Sequence, residues 1–235
     1  MIESTASRVD QLVVDLLSEI DCRFDHLTSR PDEILLSRQL AAGCLARCRS
    51  VLGSMCALQD LFPDVNGVLA RNLWEAVIVG LDLLTDADAL QRLGGDFQAK
   101  QRKLVEANAE LAELRAVIAA RGIDEDCFVV KDAAERVVRA VGGSDDAGYA
   151  LLYRGGSTFG GHGLGLASPC VDLTVEPWRV IPEPGPINVA DANHQLGIAA
   201  LLTALLAQRV FEAFGISDGK IRAAHDALAA VLKPT

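Results

Sequence analysis

Three charged residues lie on one face of a long apolar segment in the first half of the chain. Within the run from Val68 to Leu84, Arg71, Glu75 and Asp82 recur at helical spacing, and Asn72 lies beside them. Charged groups set among apolar side chains must be paired, or they are costly to bury. The stripe therefore has three interpretations: a buried Arg–Glu pair that ties helices together, a lining for a ligand, or plain exposure.

A second polar cluster follows in the glycine-rich segment that begins at Tyr153. It contains a cation, two hydroxyls and an imidazole, on Arg154, Ser157, Thr158 and His162. Glycines let backbone N–H groups approach a ligand closely, although they make a regular helix marginal. The alternative is tight helix packing over small residues around a core histidine. No phosphate-loop motif is present, so the segment is not assigned as one.

The cysteines suggest a metal site, because Cys44 and Cys48 are one helical turn apart, Cys56 follows two turns later and His26 lies on the preceding helix. The alternative is that these thiols are small buried hydrophobic groups, since free cysteines are common in the helices of a large chain. We expect the second interpretation, with no metal site, no cofactor and a reducing compartment.

The elements that position these residues are predicted to be helices. Half of the 235 residues are hydrophobic but only 5% are aromatic, which favours packed helices over a sheet sandwich. Apolar residues of helical period predict an all-α, single-domain bundle of seven or eight helices over residues 1–235, with the 68–84 run at its centre. The stretch Asp86–Ala120 predicts one long helix, or two with a break at Gly94-Gly95.

One irregular segment, about residues 160–187, interrupts the helical pattern. It is rich in glycine and proline, and a short hairpin can pair Val171–Val175 with Trp178–Ile181. This segment is a candidate lid or dimer arm.

Charge and hydropathy argue against some classes of function. The net charge of −10 repels nucleic-acid phosphates and anionic membrane surfaces unless a local basic patch overrides it, which argues against a general nucleic-acid coat. The N-terminus has no signal-peptide pattern, and the apolar stretch Leu196–Ala207 is too short to span a bilayer. These features predict a cytoplasmic protein without a membrane partner.

The motif Arg71-Asn72-Leu73-x-Glu75-Ala76, followed by Tyr153-Arg154 and Thr158-x-x-x-His162, resembles an uncharacterised family of all-helical bacterial proteins related to the HEPN (higher eukaryote and prokaryote nucleotide-binding) superfamily. The resemblance covers roughly residues 30 to 170. Some HEPN proteins are metal-independent ribonucleases in which an arginine and a nearby histidine meet their symmetry mates across a dimer cleft. Others only bind. Here seven residues separate Arg154 from His162.

The resemblance implies a homodimer that binds a nucleotide-type or other anionic ligand, or RNA, in a polar cleft. Its expected ligand-binding residues are Arg71, Asn72, Glu75, Tyr153, Ser157 and Thr158. If the protein is an enzyme, His162 is the expected general acid or base, with Arg154 as its partner in a ribonuclease-like reaction. The alternative is a structural or interaction protein, in which Arg71, Glu75 and His162 form a buried network and a helical face forms the dimer.

Overall fold

The computed structural model describes residues 5–28, 36–59, 65–106, 129–140, 171–172, 179–180 and 186–232. These ranges contain seven helices: α1 Thr5–Thr28, α2 Leu36–Leu58, α3 Val65–Thr85, α4 Ala89–Glu106, α5 Val130–Ala140, α6 Pro186–Ala213 and α7 Gly219–Leu232. The predicted all-α bundle is confirmed. A single domain over residues 1–235 stays a prediction, because it includes residues outside the described ranges.

The main core joins α1, α2, α3, α6 and α7. Helix α1 contributes a regular stripe in which Val13, Leu16 and Ile20 are fully buried, as the helical spacing of its apolar residues predicts. Helix α3 packs most extensively against α2, and α6 contacts α1, α2, α3 and α7. Helix α3 therefore has its predicted central place, with apolar residues buried on several sides.

A close approach of three helices occurs at Gly80, in the middle of the bundle. A Cβ atom added there would lie 2.8 Å from Leu206 Cδ1 and 3.0 Å from Cys44 Cβ. Neither distance leaves room for a methyl group. The absence of a side chain at Gly80 thus lets α3 pack closely against α2 and α6.

Of the two alternatives predicted at Gly94-Gly95, the unbroken helix is observed, since α4 runs through both glycines without interruption. Each glycine disfavours a helix interior by about 1 kcal/mol relative to alanine. Tertiary packing offsets this penalty, because Ala89 is fully buried and Leu90 and Leu93 pack against the main core. The packed first turns of α4 keep the helix continuous.

The predicted hairpin is confirmed in the irregular segment. Strands β1 (Val171–Asp172) and β2 (Arg179–Val180) are antiparallel, with Val171 opposite Val180 and Asp172 opposite Arg179. Helix α6 then begins at Pro186, close to the expected end of this segment at about residue 187. Proline suits the first turn of a helix, because its missing N–H would have no intrahelical acceptor there.

By length and composition, the stretch Asn193–Ala213 of α6 could cross a membrane, and 56% of its apolar window is buried inside the protein. Its buried residues include Leu196, Ala200 and Leu206, which belong to the main core. Packing inside the bundle is sufficient reason for the apolar composition of α6.

Candidate functional site

The polar stripe that the sequence predicts on α3 is divided into two halves by α5. Arg71, Glu75, Ile78 and Asp82 fall on one face of the helix, at intervals of four, three and four residues. Ile78 is buried in a small cluster with Ala133 and Ala134 of α5. Helix α5 thus packs against the stripe at Ile78.

The first half is an accessible ion pair within α3. Arg71 Nε lies 3.6 Å from Glu75 Oε1, and the two side chains are 24% and 39% exposed. Asn72, beside them, is exposed and donates a hydrogen bond from Nδ2 to the Val68 carbonyl at 3.3 Å. The pair is therefore partly buried rather than fully buried, and a role for it in tying helices together stays a prediction.

The second half is a buried interhelical pair. The Asp82 side chain is fully buried and accepts two hydrogen bonds from Arg136 of α5, from Nε at 2.9 Å and from Nη2 at 2.8 Å. This bidentate geometry is the strongest that an arginine and a carboxylate can form. The helix-tying role therefore belongs to Asp82 and Arg136.

A second acid and a second arginine extend this pair to the start of α4. Arg92 Nη2 lies 3.8 Å from Asp82 Oδ2 and 2.6 Å from Asp86 Oδ2. Asp86 also lies 3.3 Å from Arg136 Nε. The four residues Asp82, Asp86, Arg92 and Arg136, here called the charged junction, connect α3, α4 and α5 and have no net formal charge.

Local bonding favours the charged forms of two residues of the charged junction, Asp86 and Arg136. The backbone N–H of Asp88 donates to Asp86 at 2.9 Å, and this bond, together with Arg92 and Arg136, holds the pKa of Asp86 below its ordinary value. The hydrogen bonds to Asp82 raise the pKa of Arg136. An anionic ligand would gain little here, because two carboxylates already neutralise the two guanidinium groups.

The sequence pattern revealed Asp82 but not its partners. Arg92 lies within the predicted helical stretch Asp86–Ala120 and Arg136 lies on α5, and neither is at helical spacing from Asp82 within one element. The only local signal was that a carboxylate on an apolar helix must be paired.

The glycine-rich cluster of Tyr153, Arg154, Ser157, Thr158 and His162 lies outside the described residues. Its expected position opposite Arg71 and Glu75 stays a prediction. The structure therefore describes one side of the expected cleft, on α3.

The described cysteines are all free thiols, and their environments differ. Cys48 is fully buried and its Sγ donates to the Leu73 carbonyl at 3.6 Å. Burial raises the pKa of Cys44 to about 11 and raises that of Cys48 as well, so both stay protonated in the core. Among the described residues, no three His, Cys, Asp or Glu side chains are grouped so that they could hold a metal ion.

Comparison of the chain with protein families, with curated proteins and with solved structures found no match.

Proposed function

We propose that the protein is a HEPN-like helical protein that binds a phosphate-bearing ligand, a nucleotide or RNA, at the Arg71 end of α3. The observation that supports this proposal is the partial exposure of Arg71 and Glu75, together with the exposure of Asn72, on a helix of which 11 of the 21 residues are buried. A sealed hydrogen-bonded network would favour a structural role, whereas a partly exposed guanidinium can meet a ligand.

The chemistry of these three side chains suits a nucleotide. A guanidinium presents several N–H donors in a planar fork and can bind phosphate through two of them. Glu75 lies close enough to Arg71 to orient it, and it can accept a hydrogen bond from a base or a ribose hydroxyl. The exposed amide of Asn72 can both donate and accept.

The remainder of the proposed cleft comes from the glycine-rich segment. Tyr153, Ser157 and Thr158 would supply hydroxyl groups, and Arg154 a second cation. If the protein binds RNA and cleaves it, His162 would act as the general acid or base, because its charge state can change near neutral pH. The motif resemblance further supports a cytoplasmic bacterial protein that works as a homodimer.

Binding is tested with a fluorescein-labelled single-stranded RNA, followed by anisotropy, with AMP and inorganic phosphate as competitors. We expect Arg71→Ala to weaken RNA binding about tenfold or more, the equivalent of about 1.4 kcal/mol. If AMP displaces the labelled RNA, the site recognises a single nucleotide. If AMP does not displace it, the RNA is bound over an extended surface.

The matched control is Arg209→Ala, which also removes an arginine from an intrahelical Arg–Glu pair. Arg209 Nη1 lies 3.3 Å from Glu212, with side-chain exposures of 46% and 65%. Equal affinities of the two variants, or no binding by the parent, would contradict the proposal. Ribonuclease assays of the parent, His162→Ala and Arg154→Ala then separate the roles: cleavage that both variants lose while folded supports catalysis, and binding without cleavage restricts the protein to recognition.

A further inference from the structure

A cleft of about 570 Å³ lies between α1 and the turn that joins α6 to α7. Helix α1 lines it with Glu19, Cys22, Arg23 and His26, and Lys220 of α7 lies beside Glu19. Residues 214–217 form the opposite side. Its volume is within the range of small-molecule sites, roughly 300–1,000 Å³. Among the described residues, α3 lines none of this cleft, so the cleft is separate from the site proposed above.

One wall of the cleft is polar and carries more positive than negative charge. Glu19 pairs with Arg23, and it accepts a hydrogen bond from Lys220 Nζ at 2.9 Å. These two bonds hold the pKa of Glu19 below its ordinary value, so its carboxylate stays ionised. Arg23 and Lys220, facing the one carboxylate of Glu19, leave a net positive charge in the cleft lining.

The facing wall is apolar and its backbone is fixed. Phe214 and Ile216 line the cleft. Gly215 adopts a φ of 68°, which ends α6 in a left-handed turn, and the Ile216 N–H donates back to the Phe211 carbonyl at 2.8 Å. Arg23 Nε donates to the Ser217 carbonyl at 3.0 Å and joins the two walls.

The most available cation in the cleft is Lys220, whose side chain is 74% exposed. An ammonium group has three N–H donors, so Lys220 can keep its bond to Glu19 and still donate to a ligand. Arg23 is tied to Glu19 and Ser217 and acts as a fixed positive charge behind it.

We propose that this cleft binds a small organic anion, whose carboxylate or phosphate group meets Lys220 while an aromatic or other apolar body lies against Phe214 and Ile216. The pairing of a cationic wall with an apolar wall selects for both parts of such a ligand. An anion without an apolar body would make only half of these contacts, and so would a neutral aromatic molecule.

The exposed thiol of Cys22 offers a local reporter, because it lines the same cleft. The rate of Cys22 alkylation by iodoacetamide, a neutral reagent, is measured by peptide mass spectrometry with increasing phenyl phosphate, and in parallel with inorganic phosphate and with phenol. We expect phenyl phosphate to protect Cys22 saturably and at lower concentration than either fragment. Equal protection by inorganic phosphate, or no protection by phenyl phosphate, would overturn the proposal.

The variant Lys220→Met tests the anion contact, and we expect it to raise the apparent dissociation constant of phenyl phosphate about tenfold, as for the loss of one charge-assisted hydrogen bond. Lys131→Met is the matched control, since Lys131 is another exposed lysine paired with a glutamate, Glu135, but lies on α5. Unchanged protection in Lys220→Met would remove that residue from the site. Arg71→Ala should leave the protection of Cys22 intact, which keeps this test independent of the function proposed for α3.

Discussion

The two ends of the α3 stripe carry the same kind of charged pair in opposite environments. Arg71 and Glu75 interact within one helix at 3.6 Å and remain partly exposed. Asp82 is fully buried and is bound by Arg136 of another helix through two short hydrogen bonds. The difference arises from α5, which packs over Ile78 and Asp82.

The comparison teaches that burial, rather than residue type, assigns the role of a charge on this helix. A buried carboxylate requires a partner with ideal geometry, because desolvation otherwise exceeds the Coulombic gain. A partly exposed pair contributes little to stability and is available to a ligand. The charged junction is therefore expected to stabilise the fold, and the Arg71 end to bind.

The largest effect is expected from Arg136→Met. This change leaves Asp82 buried with only the more distant Arg92 as a counter-charge, 3.8 Å away. We expect a loss of about 3–5 kcal/mol in the free energy of unfolding, the usual effect of breaking one side of a buried pair. Urea unfolding followed by circular dichroism measures it.

Two controls sharpen this result. Arg139→Met changes an exposed arginine on the same helix and should alter stability by less than about 0.5–1 kcal/mol. The double variant Asp82→Leu/Arg136→Met removes both charges and should be less destabilised than Arg136→Met alone. If Arg136→Met unfolds at the urea midpoint of the parent, the charged junction does not hold the helices together.

A smaller, pH-dependent effect is expected from Asp86→Asn. Asparagine can still accept the hydrogen bond from the Asp88 N–H, so the variant removes mainly the charge that faces Arg92 and Arg136. Since these side chains are about a quarter exposed, we expect a loss of about 1 kcal/mol near neutral pH.

The sign of the pH dependence follows from the lowered pKa of Asp86. The ordinary value is 3.8, so the contribution of its charge is complete above that pH and is lost as the pH falls through the lower pKa of the folded state. The stability difference between parent and variant should therefore shrink below about pH 4, in urea titrations from about pH 7 to about pH 3. A difference that stays constant over this range would show that charge is not its source. Asp15→Asn, an exposed site on α1, should show no such convergence.

The fold was largely predictable because helical periodicity is a local property. The spacing of apolar residues in α1 and α3 predicted both helices and their buried faces, and turn chemistry predicted the hairpin at Val171 and Val180. The sequence left open whether the helix breaks at Gly94-Gly95, because glycine propensity is local whereas the packing of Leu90 and Leu93 is not.

The candidate sites depend on contacts between distant parts of the chain, and there prediction from the sequence was partial. Arg71 and Glu75 were paired correctly because they are four residues apart on one helix. Their degree of burial was not predictable, since it depends on which other parts of the chain pack against α3. The cleft between α1 and the turn that joins α6 to α7 could not be predicted from a local sequence pattern either. Arg23 and Ser217, which join its two sides, are 194 positions apart in the sequence.

The smallest effect on stability is expected at the other end of the stripe, from Arg71→Ala. Had the Arg71–Glu75 pair been buried, the abandoned carboxylate would have destabilised the fold as strongly as in Arg136→Met. With side chains that are 24% and 39% exposed, Glu75 can be hydrated after the change. We therefore expect a loss of only about 0.3–0.5 kcal/mol, as for other exposed i,i+4 pairs.

The measurement for Arg71→Ala is the same urea titration as for Arg136→Met, at low and at high salt. Screening should reduce the small contribution of an accessible pair further, whereas a buried pair is screened much less. A loss comparable to that of Arg136→Met would place both ends of α3 in the same structural role. A small loss combined with weakened RNA binding would separate them, because an accessible arginine that the fold does not require is available to bind phosphate.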